Sequence, residues 1–281
     1  VCDYITRLAA VNDKVKDRLI LIPRIYTNKP RTNGDGYKGL ASQPNPNQKE
    51  DFAAGLLAVR HMHTRAMRET GLSAADDNQY QDNCPKLNKL LSYVAIGARS
   101  VEDQHHRLVS SGFDVATGMK NPTSGDFTVM LNSIYAAQQK HTFTFRGYEV
   151  STDGNPLSHA ILRGSTSKNG RNLPNYHYED LINLLNMYQE RELQNMACIV
   201  DTNHSNSNKQ FKQQIRIAKE VLHSRRLDND IHKMVKGLMI ESYIEEGSQK
   251  IGEGVYGRSI TDPCLGWQDS EELIYHIAEM A

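Results

Sequence analysis

Strand-like runs and amphipathic helical segments alternate along nearly the whole chain, and this rhythm limits the possible folds more than any other feature. The strand-like runs are Leu19–Tyr26, a short one at Leu72–Asp76, Tyr93–Arg99, Val115–Asn121, His159–Arg163, Ala197–Asn203 and Val235–Ser242. Helical spacing marks Asp51–Thr70, Val101–Ser110, Thr128–Gln138, Tyr178–Glu192 and Lys209–Ser224, and Ser270–Met280 closes the chain. A repeated strand-then-helix order predicts a parallel sheet with helices on its outside. Seven strands are counted, one short of a (β/α)8 TIM barrel. The chain also opens inside a helical stripe (Ile5, Leu8, Val11, Val15) with no capping residue before it. The expected fold is therefore α/β, a TIM barrel over residues 1–281 as one domain, with its first strand missing upstream. Thr142–Val150 alternates like an exposed β-ribbon and predicts an insertion near 142–157, while Ser165–Tyr176, rich in Gly, Asn and Ser, predicts a long βα loop.

Charge narrows the partners. Lys plus Arg and Asp plus Glu both number 33, so the net charge is zero with histidines neutral. Neither a nucleic-acid nor a membrane surface is expected from that balance. No apolar run approaches the ~18 residues of a membrane span, and no secretory signal is expected. Cys2, Cys84, Cys198 and Cys264 stand far apart, which predicts reduced thiols in a cytoplasmic protein.

Local charge is more telling. Nearly every strand-like run ends in polar or charged residues: Arg24, Lys29 and Arg31, then Arg99, Lys120, Arg163, His204 and Glu241. In a barrel the C-terminal strand ends converge on one face, where the chemistry sits. Cations gathered there in a neutral protein call for an anion, and phosphates and carboxylates suit guanidinium forks. His204 in DTNHSNSN, Glu241 in MIESY and Asp262 in ITDPCLGW add an imidazole and two carboxylates. Such a donor set suits Mn²⁺, Fe²⁺, Co²⁺ or Zn²⁺ rather than Cu(I). Their wide spacing forms no local motif, so the set depends on the barrel bringing the ends together.

At KPRTNGDGYKG, GARSVEDQ, GMKNPTSG, ILRG, DTNHSNS, MIESYIEEG and SITDPCLGW, in order along nearly the whole chain, the sequence resembles the type I, metal-dependent 3-deoxy-7-phosphoheptulonate (DAHP) synthases. The resemblance implies a transferase that joins phosphoenolpyruvate to erythrose 4-phosphate and releases phosphate, the first step toward the aromatic amino acids. It implies that Arg99 and Arg163 hold the phosphoenolpyruvate phosphate, and that Arg24 and Lys120 hold its carboxylate. Lys29 would act as general acid toward the aldehyde oxygen, and Arg31 and Thr32 would grip the phosphate of erythrose 4-phosphate. His204, Glu241 and Asp262 would bind a divalent metal ion. A homo-oligomer, dimer or tetramer, is expected, with the 142–150 ribbon as a contact surface.

Two departures from the family pattern stand out. The family's first strand ends in a GPCS-like motif whose cysteine ligates the metal, and no such motif occurs here. The family's third strand carries a Glu followed by apolar residues, where this chain has Asp77, Asn78 and Gln79. These departures keep open a catalytically weak or inactive barrel serving as a binding or regulatory subunit. A related synthase using arabinose 5-phosphate is the other alternative, and the KPRT stretch argues against it.

Overall fold

A computed structural model describes residues 1–29, 36–78, 87–191 and 193–281, and within these every side chain but those of residues 78 and 88. The helices are α1 (Cys2–Val15), α2 (Phe52–Thr70), α3 (Gln104–Ser110), α4 (Phe127–Gln138), α5 (Tyr178–Glu190), α6 (Gln213–Leu227), α7 (Asn229–Met234) and α8 (Trp267–Met280). The strands are β1 (Ala74–Asn78), β2 (Leu91–Ile96), β3 (Ala116–Lys120), β4 (His141–Phe145), β5 (Tyr148–Thr152), β6 (Ser158–Leu162), β7 (Ser165–Thr166), β8 (Asn172–Leu173), β9 (Cys198–Asp201), β10 (Val235–Met239), β11 (Glu245–Ser248) and β12 (Arg258–Ser259). They form two compact units, Val1–Val94 with Glu241–Ala281, and Ala95–Ile240. Among the described residues, no helix is long and apolar enough to cross a membrane.

In the second unit β3, β6, β9 and β10 lie side by side, and every pair is parallel. All five residues of β6 are buried, as are the last four of β3. Strands covered on both faces read as short, nearly continuous buried runs rather than as alternating ones, which is why the sequence located them. Three helices of this unit, α3, α4 and α7, start at side-chain caps. Asp103 accepts from the amides of His105 and His106, Asp126 from those of Thr128 and Val129, and Asp228 from those of Asp230 and Ile231. Each cap satisfies amides that the first helical turn cannot pair. Met130, Leu131, Ile134 and Ala137 of α4 and Ile217, Ala218, Val221 and Leu222 of α6 are buried at helical spacing. The β4–β5 ribbon forms as expected, antiparallel from His141↔Thr152 to Phe145↔Tyr148. The expected long loop at 165–176 is organised further, because β7 and β8 pair antiparallel within it.

In the first unit, Leu8, Val11 and Val15 of α1 bury against Ile274 and Ala278 of α8, and Ile5 joins Ile25, Ala66 and Ala74. Asp51 caps α2, and Gly71 ends it at φ 72°, a left-handed conformation that suits a residue without a Cβ. The expected strand at Leu19–Tyr26 is reduced to one parallel bridge, Arg24↔Ala75. Its two hydrogen bonds run from the amide of Ile25 to Ala75 O (2.8 Å) and from the amide of Ala75 to Pro23 O (2.9 Å). Pro23 has no N–H to extend the ladder, and Ile20 is 88% exposed, so the apolar run is not buried as a run.

Candidate active site

Parallel register aligns the C-terminal ends of the second unit's strands. Lys120 ends β3 opposite Ile161, Arg163 follows the last residue of β6, and Asp201 ends β9 opposite Met239 of β10. Lys120 is 4% exposed and Asp201 fully buried. The Lys120 Nζ lies 3.9 Å from Asp201 Oδ2, and His204 Nδ1 lies 2.9 Å from the same oxygen. One buried carboxylate thus stands between a cation of the expected phosphoenolpyruvate set and an expected metal ligand. Buried charges persist only with partners, and Lys120 and Asp201 supply one to each other. His204 adopts φ 52° to present its ring there, a left-handed conformation uncommon outside glycine.

The backbone at these strand ends is clamped by asparagines. The Asn121 Oδ1 accepts from the amide of Arg163 (2.9 Å) and from Asn175 Nδ2 (3.1 Å), and its Nδ2 donates to Gly164 O (2.9 Å). The amide of Gly164 donates to Asn175 Oδ1 (2.7 Å), and the amide of Asn175 to Asn206 Oδ1 (2.9 Å). Asn206 Nδ2 in turn donates to Asp201 O (2.8 Å). Each of these amides both donates and accepts, which is what three neighbouring strand ends with unpaired peptide groups require. Gly164 is needed here: a Cβ would stand 2.7 Å from the Asn206 amide nitrogen, and φ is 72°. Arg99, three residues beyond the end of β2, is exposed.

In the first unit Arg24 grips Asp77 with Nε and Nη2, each 2.9 Å from one carboxylate oxygen. This is the two-point fork by which guanidinium groups recognise carboxylates. The Asp77 side chain is 1% exposed, so the polar residue that departs from the family pattern is the buried counter-ion of Arg24. Lys29 Nζ lies 2.9 Å from Asp262 Oδ2, pairing the expected general acid with an expected metal ligand. Tyr26 lies under both cations, 5.0 Å from the Arg24 guanidinium and 4.0 Å from Lys29 Nζ. Burial, and then the Asp77 charge, push its phenol well above the ordinary tyrosine range.

The amide of Leu265 donates to Glu241 O (3.0 Å), tying the segment after β10 to the one carrying Asp262. Cys264 is half-buried there, and burial, followed by the Glu241 charge, pushes its thiol up to about 12, so it stays a thiol at neutral pH. Arg31 and Thr32, the expected grip on the second phosphate, lie outside the described residues. His204 belongs to the second unit, Glu241 and Asp262 to the first.

Among the described residues, no group of three or more His, Cys, Asp or Glu side chains is arranged to hold a metal ion. The donor types nonetheless fit a divalent first-row ion, and Asp201 gives His204 the carboxylate support that metal-binding imidazoles ordinarily have. Sequence reasoning missed Asp201, Asn121, Asn175 and Asn206. Asp201 opens the DTNH stretch that held His204, but only the fold turns it toward Lys120. Asn121 and Asn206 stand in stretches already singled out, GMKNPTSG and DTNHSNSN, where a residue able to both donate and accept was the available signal.

Comparisons with known proteins bear on this arrangement. The model of the DAHP synthetase I family matches residues 1–274. The phospho-2-dehydro-3-deoxyheptonate aldolase of Haemophilus influenzae is 36% identical over 285 residues, covering 99% of this chain and 76% of that protein. The Phe-sensitive phospho-2-dehydro-3-deoxyheptonate aldolase of Escherichia coli K12 is 34% identical over 284 residues, covering 98% and 78%. Among solved structures, the phospho-2-dehydro-3-deoxyheptonate aldolase of Francisella tularensis SCHU S4 superposes with a TM-score of 0.90 at 29% identity, over 99% of this chain and 80% of that one.

Proposed function

We propose, on the premise that this chain belongs to the DAHP synthetase I family and has its (β/α)8 fold class, that it condenses phosphoenolpyruvate with erythrose 4-phosphate and water to give 3-deoxy-D-arabino-heptulosonate 7-phosphate and phosphate. The observation that carries the reading is the buried Asp201 between Lys120 and His204, at the aligned ends of parallel strands. It supplies a fixed charge where a cation for an anionic substrate and a ligand for a metal ion are both needed.

Arg99 and Arg163 take the phosphoenolpyruvate phosphate, and Arg24 and Lys120 its carboxylate. Arg31 and Thr32 take the phosphate of erythrose 4-phosphate. Held in this way, C3 of phosphoenolpyruvate faces the aldehyde carbon, and positioning removes much of the entropic cost of bringing two substrates together. The new C–C bond forms as the enol π electrons attack the aldehyde, and Lys29 gives its proton to the aldehyde oxygen. Water adds to the cationic C2 and loses a proton; the new C2 hydroxyl then gives up its remaining proton as it closes to the ketone, and the C2–O bond to the phosphate breaks, its bonding pair leaving on inorganic phosphate. His204, Glu241 and Asp262 are the residues that would hold a divalent ion, Mn²⁺, Fe²⁺, Co²⁺ or Zn²⁺. When bound, the ion supplies Lewis acidity toward the aldehyde. We place the protein in the cytoplasm as a homo-oligomer, dimer or tetramer, with the exposed ribbon of β4 and β5 as a contact surface.

Phosphate release tests the proposal. Full turnover with erythrose 4-phosphate and Mn²⁺, loss of it with EDTA, and little with arabinose 5-phosphate are expected. Preference for arabinose 5-phosphate would reassign the substrate. No release with either sugar, from a folded protein loaded with metal, would leave a binding subunit rather than an enzyme.

A further inference from the structure

Behind the Arg24–Lys29 segment lies a buried group that the proposed chemistry does not use. Asp76 on β1 is 4% exposed and His63 on α2 is 2% exposed. The Asp76 carboxylate accepts from the amide of Thr27 at Oδ1 (3.1 Å) and from the Thr27 hydroxyl at Oδ2. Oδ1 also accepts from the amide of Asp77 (2.8 Å). The His63 Nε2 stands 3.9 Å from Oδ2, and neither ring nitrogen has a hydrogen-bond partner among the described residues. An ionisable group at such depth is costly unless the fold makes use of it.

Its geometry shows a use. Thr27 lies midway between Arg24 and Lys29, in a stretch that the β-ladder holds only at the Arg24↔Ala75 bridge. Beyond the bridge the segment is fastened by Asp76 on one side and by the 38–42 turn on the other. The amide of Ala41 donates to Thr27 O (3.0 Å), and the amide of Lys29 donates to Lys38 O (2.9 Å). Asp76 is bonded on one side to Thr27 and on the other to the amide of Asp77, the residue that grips Arg24. One carboxylate therefore sets the spacing between the segment bearing both cations and the strand bearing the counter-ion.

We propose that Asp76, backed by His63, is a positioning residue that acts through Thr27 to fix Lys29 and Arg24 for the reaction. The proposal rests on the functional reading above for the word reaction, but the placement of Lys29 can be measured without turnover. A merely structural carboxylate would affect the melting temperature alone. A positioning one changes where Lys29 Nζ stands, and with it kcat.

The test uses the full chain with Thr27→Val, which keeps the shape and removes the hydroxyl, and Thr27→Ser, which restores it. Thr27→Ala serves if the valine methyl cannot be accommodated beside the carboxylate. Trace acylation of amines, read by peptide mass spectrometry, reports the reactivity of Lys29; phosphate release reports kcat. We expect Lys29 to label several-fold faster in Thr27→Val, with kcat lowered about tenfold to hundredfold, the scale of a misplacement of about 1 Å. The KM for phosphoenolpyruvate should change less, and Thr27→Ser should return both readouts to those of the parent. Lys29 labelling at the parent rate in folded Thr27→Val, or in Thr27→Ala, would overturn the proposal whatever the activity. Altered labelling in a chain whose parent releases no phosphate would uphold the positioning and reject the synthase reading instead.

Discussion

The two regions that carry the expected site residues hold their charges in different ways. In the second unit, Lys120, Arg163 and His204 sit at or just past the ends of strands whose register is fixed by neighbours, and a set of asparagines clamps the turns that follow. In the first unit, Arg24 and Lys29 ride on an irregular stretch with a single ladder bridge, fastened from behind by one buried carboxylate. Strand register spreads the work over many peptide groups, whereas the irregular stretch depends on a few contacts, from Thr27 to Asp76 and to the 38–42 turn. The first arrangement should be hard to disturb without unfolding it. The second should lose function before it loses stability.

Four substitutions test that contrast, ordered from the largest effect. Lys29→Met removes the proposed proton donor in the weakly tethered segment and should lower kcat about a thousandfold, within the 10²–10⁴ that a general acid contributes. Steady-state phosphate release checks this, and a loss of under tenfold would remove Lys29 from the chemistry. In the clamped region the expected damage is to stability. Asn121→Leu strands the Arg163 amide and Gly164 O among buried neighbours, each costing about 1–3 kcal/mol, so urea unfolding should show a loss of about 3 kcal/mol. An unchanged midpoint would mean that the asparagine clamp is not what holds the strand ends.

How much of this was legible beforehand follows the same division. The strands at 116–120, 158–162 and 198–201 stood out because doubly covered strands are short buried runs between turn residues. The 19–26 segment looked similar in composition, yet nothing in an apolar run says that Pro23 will stop the ladder and leave Ile20 in solvent. In the sequence Asp77 is only a departure from the family pattern, because its partner Arg24 lies 53 positions away and only the fold joins them. His63 looked like one more residue of an amphipathic helix, and its apposition to Asp76 depends on how α2 covers β1. Residues proposed to touch substrate are marked by charge at strand ends; residues that hold them in place carry no such mark.

Two smaller effects sharpen the contrast. Gly164→Ala adds a Cβ 2.7 Å from a backbone nitrogen at φ 72°, and a loss of about 1–2 kcal/mol in urea unfolding is expected. A gain in stability would show that the turn can relax. The smallest concerns pH. Burial is the largest influence on Asp76 and raises its pKa above the ordinary carboxylate value, although His63 and Thr27 oppose it. The folded chain then holds that proton more tightly than the unfolded chain. Its stability contribution is full below the unfolded value and is lost as pH rises through the raised folded value. Asp76→Asn should therefore remove a decline in the urea midpoint that the parent shows from the ordinary carboxylate range upward. Parallel parent and variant curves between pH 4 and 8 would place the Asp76 titration outside that window (roughly the span between ordinary and strongly raised carboxylates).

The most direct test of the whole account is an Mn²⁺ titration of phosphate release from phosphoenolpyruvate and erythrose 4-phosphate, run on the parent and on Asp201→Asn. If Asp201 supports both His204 and Lys120, the variant should need about 10–100-fold more Mn²⁺ for half-maximal rate, as loss of a supporting carboxylate does. It should also remain slower at saturating metal, because Lys120 has lost its buried counter-ion. Identical metal dependence and identical maximal rates in the two proteins would contradict the account.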